Sequence, residues 1–327
     1  MPNRHVIAIG ASAGGIHALR QIVRELPSDF SGSILVVVHI SPDFRSILPD
    51  ILARAGKLPA RHAEQGTSIE PGRIYIAQPN YHLQVVDRRL QVSFGPKVNG
   101  FRPAIDPLLR SVAESFDSDA TGVLLSGGMT DGIAGLLAIK AAGGTTVVQD
   151  PADAAFPALP TNALNVIEAD HVVPSSGIGK LLVDLAQRPA VTRGMAMPDS
   201  LAKAEDAYRH DLNAQARGER AGHLAVFSCP HCGGVMRQTD ETRIAQFLCH
   251  VGHSYEGEAL LSSQGELVET MSWSLLRALK ERGTLARELA AKAKDDSETA
   301  RRLSAIVEDA ERRMAIIQRD LIKVDRG

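Results

Sequence analysis

The chain is short of cysteine, of net charge and of long apolar runs, and each shortage closes off a class of protein. Its 3 cysteines are an odd number and all lie between Cys229 and Cys249, which argues against a disulfide framework and for a metal site in a reducing compartment. A formal net charge of −2 gives no general attraction to nucleic acid or to an anionic membrane. No apolar run is long enough to span a bilayer, and the N-terminal run is too brief and too poorly flanked for a secretory signal. Internal repeats and low-complexity tracts are also missing. The expectation is a cytoplasmic protein without membrane insertion. Its 327 residues, 44% of them apolar, are enough for one large domain and a smaller one.

The chain is organised around Val6–Gly15, VIAIGASAGG. An apolar run ends in Gly10-Ala11-Ser12-Ala13-Gly14, which fits the G-x-S-x-G pattern that exposes a nucleophilic serine at a sharp turn. Ile16, Leu19, Ile22, Val23 and Leu26 follow at helical spacing. Ser12 is therefore expected between a buried strand and a helix N-terminus, where unpaired N–H groups can hold developing negative charge. The motif also resembles a phosphate-cradling turn, but Ser12 stands where the second glycine of G-x-G-x-x-G belongs, and no P-loop lysine follows.

Residues 1–187 alternate short apolar runs with helical patterns. The expected strands are His5–Ile9, Ile34–Val38, Arg73–Ala77, Gly122–Leu125, Thr145–Val148 and His171–Val173; His82–Phe94 reads as a hairpin insertion. This alternation predicts an α/β fold with a doubly wound, mostly parallel sheet covered on both faces. Residues 188–224 read as a linker. Residues 225–257 form a Cys/His unit and 258–327 a helical hairpin or coiled-coil extension. Leu303, Val307, Ala310, Met314, Ile317, Leu321 and Val324 make a heptad seam that either closes within the hairpin or supports a homodimer.

In doubly wound sheets ligands sit beyond the carboxyl ends of the strands. Three reactive side chains fall there: Ser12 after the first strand, His39 after the second, and Asp131 in the turn Ser126–Gly132. A serine hydroxyl needs an imidazole to take its proton, and the imidazole needs an acceptor on its other nitrogen. Singly, Ser12 and Asp131 could be helix caps and His39 an ordinary loop residue. His17, His82, His171, Asp106 and Asp150 are the reserve candidates. Two functional classes stay open: a serine hydrolase, and a non-catalytic signalling or scaffold module that keeps the fold.

GASAGG, His39-Ile40-Ser41, Arg102-Pro103-Ala104-Ile105-Asp106 and LSGGMTDGIAG together resemble the catalytic domain of the CheB-type chemotaxis protein-glutamate methylesterases. The resemblance implies Ser12 as nucleophile, His39 as base and Asp131 as its orienting carboxylate. It also implies an oxyanion hole of backbone N–H groups, by position those of Ala13 and Met129. The implied reaction needs no catalytic cofactor. It hydrolyses γ-glutamyl methyl esters, with glutamine deamidation as a side activity, on a methylated chemoreceptor or similar helical partner. Ala13 and the one-place shift of Met129 depart from the family's usual GASTGG and LTGMGNDG turns. With the first strand at the start of the chain, no receiver domain is expected ahead of it.

Cys229-Pro230-His231-Cys232 is a C-x-x-C knuckle, and Cys249 and His253 follow at a distance. Paired soft ligands in this pattern suit tetrahedral zinc, which predicts a closed structural site of Cys229, Cys232, Cys249 and His253. The alternative is three free cysteines on a small β unit. No basic and aromatic surface accompanies the unit, so nucleic acid is not an expected partner.

Overall fold

The computed structural model describes residues 5–40, 46–187, 222–239, 245–293 and 297–324. Strand β1 (Val6–Ala11) leads into helix α1 (Gly15–Glu25), β2 (Ser33–Val38), α2 (Leu48–Ala55), β3 (Ala60–His62) and β4 (Ile74–Ile76). The hairpin β5 (His82–Val86) and β6 (Arg89–Ser93) follows, then α3 (Ile105–Phe116), β7 (Ala120–Leu124) and α4 (Ile133–Ala141). Strand β8 (Thr145–Gln149), α5 (Ala158–Val166), β9 (His171–Val173) and α6 (Ser175–Ala186) complete the α/β part.

The main sheet has 7 strands in the order β3-β4-β2-β1-β7-β8-β9, and every pairing is parallel. The Val/Ile/Leu runs that signalled its strands are buried along their whole length in β1, β2 and β7, as strands covered on both faces must be. One core packs α1, α2 and α6 on the sheet through Leu19, Ile22, Leu52, Ile178 and Leu182. The other packs α3, α4, α5 and the hairpin through Leu83, Leu109, Leu136 and Leu159. The chain leaves β1 for β2 on one side, while β7 flanks it on the other. That reversal opens a crevice beyond the carboxyl ends of β1 and β7.

The sequence pattern anticipated all of these elements except β3, whose Ala60-Arg61-His62 carries no apolar run. The hairpin turns at Asp87 and Arg88, both at positive φ (50° and 59°), as a two-residue primed turn requires.

A second sheet of 4 antiparallel strands holds β10 (His223–Ser228), β11 (Val235–Thr239), β12 (Gln246–Cys249) and β13 (Ser254–Glu256). Its core is small: Cys229, Met236, Phe247, Cys249, Tyr255, Ala259 and Leu260. The linker expected over 188–224 lies, up to residue 221, outside the described residues. Met1–Leu260 form one compact unit and Leu261–Gly327 another. Helix α7 (Gly257–Ala290) and helix α8 (Glu298–Val324) supply the second unit. There Leu279, Ala286, Leu303 and Ala310 are buried, and Arg287 donates to Glu311 at 2.8 Å. On α7 the apolar side chains of Val268, Met271 and Leu275 are exposed.

Candidate active site

The sheet register brings the sequence-predicted residues to one rim. Gly10 lies beside Val37 of β2 and Leu124 of β7, and Ala11 beside Val38, so Ser12 and His39 leave adjacent strand ends side by side. The turn that exposes Ser12 is fixed from several directions. Ser12 N–H donates to Ser126 O at 3.0 Å, and the Ser126 hydroxyl donates to Ala13 O at 2.8 Å. Gly14 has φ 77°, and a Cβ there would come 2.6 Å from Ser126 Oγ, so only glycine closes the turn. At Gly127 a Cβ would stand 2.8 Å from Ser12 Cβ; the second glycine lets the two turns touch.

Ser12 Oγ lies 3.2 Å from His39 Nδ1, and His39 Nε2 lies 2.7 Å from Asp131 Oδ2. The imidazole is also clamped by Phe101, stacked at 3.7 Å with the rings 6° from parallel. Asp131 is 1% exposed and accepts from Ile105 N–H (2.6 Å) and from Asn99 Nδ2 (3.0 Å) as well as from His39. Burial would raise its pKa, but the hydrogen bond and charge of His39, then Ile105 N–H and Asn99, hold it below the ordinary carboxylate value. An ionised Asp131 accepts the Nε2 proton, which leaves the lone pair on Nδ1 facing the serine hydroxyl. The arrangement is that of a proton relay from Ser12 to His39, with a carboxylate fixing the tautomer.

Among the described residues the N–H groups of Ala13 and Met129 donate to no protein acceptor. Met129 sits at φ 62°, rare for a side chain of its size, and its carbonyl accepts from Asn162 Nδ2 at 3.1 Å. Four of the five reserve candidates go elsewhere. His17 pairs with Gln21, and Asp150 accepts from Ala152 N–H in its own turn. His82 is buried between Pro96 O and Ala104 N–H, with its pKa lowered by that burial. His171 lies within β9.

Asp106 is part of the site, though not on the imidazole. It accepts from Asn99 Nδ2 at 3.0 Å and from Gly135 N–H at 2.6 Å. Burial and the neighbouring Asp131 push its pKa up to about 6. Three further residues escaped the sequence reading: Phe101, Asn99 and Glu256. Asn99-Gly100 is a turn dipeptide, which gives a place but not a role. Nothing in the sequence marks Glu256, which comes from the second sheet.

That sheet gathers the four expected ligands. The Sγ atoms of Cys229, Cys232 and Cys249 and a ring nitrogen of His253 all lie within 4.8 Å of one another. Cys232 Sγ to Cys249 Sγ is 3.7 Å, and Cys249 Sγ to His253 Nδ1 is 3.4 Å. A zinc–sulfur bond of about 2.3 Å gives a tetrahedral edge of about 3.8 Å, so the donor set and its spacing fit such an ion. Both knuckles are closed by backbone bonds, Gly233 N–H to Cys229 O (2.8 Å) and Gly252 N–H to Cys249 O (3.1 Å). The His231 ring lies 4.4 Å from that of His253, tilted by 58°, and is outside the ligand set.

The family model for the CheB methylesterase matches residues 7–182. The chain belongs to the CheB methylesterase family. It is 37% identical over 186 residues to a Leptospira interrogans protein named for protein-glutamate methylesterase/protein-glutamine glutaminase, covering 57% of this chain and 96% of that one. It is 33% identical to the Pyrococcus horikoshii protein-glutamate methylesterase/protein-glutamine glutaminase, over 56% of this chain but 51% of that relative. The crystal structure of the Thermotoga maritima CheB methylesterase catalytic domain superposes with a TM-score of 0.53 at 32% identity, over 55% of this chain and 97% of that domain. The CheB match thus covers the seven-stranded sheet and stops before the Cys/His sheet. No helix among the described residues is long and apolar enough to cross a membrane.

Proposed function

We propose that this CheB-family chain is a serine esterase that hydrolyses γ-glutamyl methyl esters on a methylated chemoreceptor or similar helical signalling protein in the cytoplasm. One observation carries the reading: the unbroken contact from Ser12 Oγ through His39 to Asp131 Oδ2. As His39 Nδ1 takes the hydroxyl proton, Ser12 Oγ attacks the ester carbonyl. Ala13 and Met129 N–H groups then receive the oxyanion, each such donor contributing on the order of 10²-fold or more to rate. The imidazolium, stabilised by Asp131, gives its proton to the leaving methoxide, and methanol departs. Water, deprotonated by His39 in turn, cleaves the acyl-serine and leaves a glutamate carboxylate. A glutamine side chain would follow the same path with ammonia leaving.

The catalytic steps use no cofactor. Cys229, Cys232, Cys249 and His253 would hold a structural zinc whose role is to tie the two knuckles of the small sheet together. The deciding assay is methanol release from a methylated receptor. Wild type is expected to release it and Ser12→Ala is not, and His39→Ala should abolish labelling of Ser12 by a fluorophosphonate. Equal release by wild type and Ser12→Ala overturns the reading and leaves a non-catalytic module of the same fold.

A further inference from the structure

The Cys/His sheet is bonded into the catalytic apparatus. Its last strand, β13, starts next to His253 and pairs with the loop Lys97–Phe101. Asn99 N–H donates to Ser254 O at 2.8 Å, and Ser254 N–H to Lys97 O at 3.3 Å. Glu256 N–H donates to Asn99 Oδ1 at 2.8 Å. That bond decides which way the Asn99 amide faces. An N–H can donate only to the oxygen, so Nδ2 must turn to the other side, where it donates to both Asp131 Oδ1 and Asp106 Oδ2 at 3.0 Å. Asn99 is 3% exposed and sits at φ 52°, in the left-handed region that asparagine adopts more readily than most residues.

The same loop reaches the imidazole. Val98 and Phe101 exchange backbone hydrogen bonds at 3.1 and 2.9 Å, closing the loop, and Phe101 is the ring stacked on His39. One five-residue loop thus touches both partners of the serine, and β13 pairs along it. The side chain of Glu256, 3% exposed, is carried in beside the acidic pair.

We propose that the Cys/His sheet is a metal-dependent brace for the esterase. With a cation held by Cys229, Cys232, Cys249 and His253, β13 fixes Asn99, and Asn99 holds Asp131 where His39 needs it. Asn99 is a positioning residue, as is the backbone of Glu256. Loss of the cation frees β13, lets the amide turn and the loop relax, and loosens the relay. Displacements of about 1 Å in such a constellation cost on the order of 10²-fold in rate. The inference rests on the Ser12 relay proposed above, and its test separates the two.

The test uses the full chain with zinc bound, after stripping with a chelator, and after zinc is returned. The rate of Ser12 labelling by a fluorophosphonate is read together with zinc content and with hydrogen exchange in β1, β2 and β7. Stripping is expected to slow labelling about 10²-fold, reversibly, with exchange in the main sheet unchanged. Asn99→Ala should keep its zinc, label as slowly as stripped wild type, and show no further loss when stripped. Labelling that ignores zinc overturns the brace while the relay stands. Losses from Asn99→Ala and stripping that multiply overturn the path through Asn99. Loss of protection in the main sheet on stripping overturns it as well, because general unfolding then explains the slowing. Absence of Ser12 labelling in every form, zinc-loaded wild type included, overturns the relay itself.

Discussion

The two sheets are held together by different means. The seven-stranded sheet has an apolar core on each face, and its strands β1, β2 and β7 are buried end to end. The four-stranded sheet buries only a handful of apolar side chains, two of them cysteines from the ligand set, and its first strand leaves Leu224 and Val226 exposed. Burial at roughly 25 cal/mol per Å² can stabilise the first; the second has too little apolar area to do the same. The difference teaches where each will fail: the large sheet by cavity, the small one by loss of its ligands.

With the proposed zinc held by the four donors, the largest effect should come from removing it. Structural zinc sites contribute on the order of 10 kcal/mol to folding, far more than the small core can replace. Cys232→Ser, or chelation, is expected to abolish hydrogen-exchange protection in β11 and β12 while β1, β2 and β7 stay protected. Protection retained in β11 and β12 would show the small sheet to be self-sufficient and would erase the contrast.

Ser12→Ala sharpens the comparison from the other side. It removes the proposed nucleophile and leaves both sheets as they are, since the hydroxyl contacts His39 rather than either core. Ester hydrolysis should fall by about 10³-fold or more with the melting temperature unchanged. A large fall in stability would mean that the turn, and not the chemistry, needs the serine.

Leu19→Ala tests the apolar route. Leu19 of α1 is fully buried on the large sheet, and truncation there should destabilise by about 2–5 kcal/mol. Denaturant melting followed by a probe in the large sheet would show it, with zinc affinity unaffected. A cost below about 1 kcal/mol would mean that this face is loosely packed.

These contrasts also explain what could be read without coordinates. Buried parallel strands are continuous apolar runs, so β1, β2, β7 and β8 announced themselves, and a doubly wound sheet places its ligands at strand ends by topology alone. Ser12, His39 and Asp131 were legible for that reason. So was the Cys/His cluster, because ligand spacing is local. The three-residue β3 was not, being half exposed and polar. Asn99 and Glu256 were not either. Their importance comes from a pairing between segments 157 residues apart, and no local pattern records which strand will lie against which loop. Phe101 escaped because a ring stacked on a histidine looks, in sequence, like any core aromatic.

The smallest effect lies where the two sheets meet. Glu256 is buried against Asp106 and Asp131, with Thr130 and the Arg110 guanidinium also acting on it; burial first, then the two carboxylates, push its pKa up to about 9. Glu256 is therefore protonated in the folded protein at neutral pH and ionised in the unfolded chain. Below the ordinary glutamate value of about 4.3 both states are protonated and nothing is lost. As pH rises from there toward 9, the unfolded state binds fewer protons than the folded one, and stability falls. Asp106, held at about 6, adds a loss of the same sign at lower pH, and the proton belongs to the cluster rather than to one oxygen. Glu256→Gln keeps a neutral donor of the same shape without a proton to lose. Its stability should match wild type near pH 4.5 and exceed it at pH 8, the gap widening steadily between. Denaturant melts across that range would check it. Parallel curves for the two proteins would mean that Glu256 enters the fold as a carboxylate, and that the junction between the sheets is held by its backbone alone.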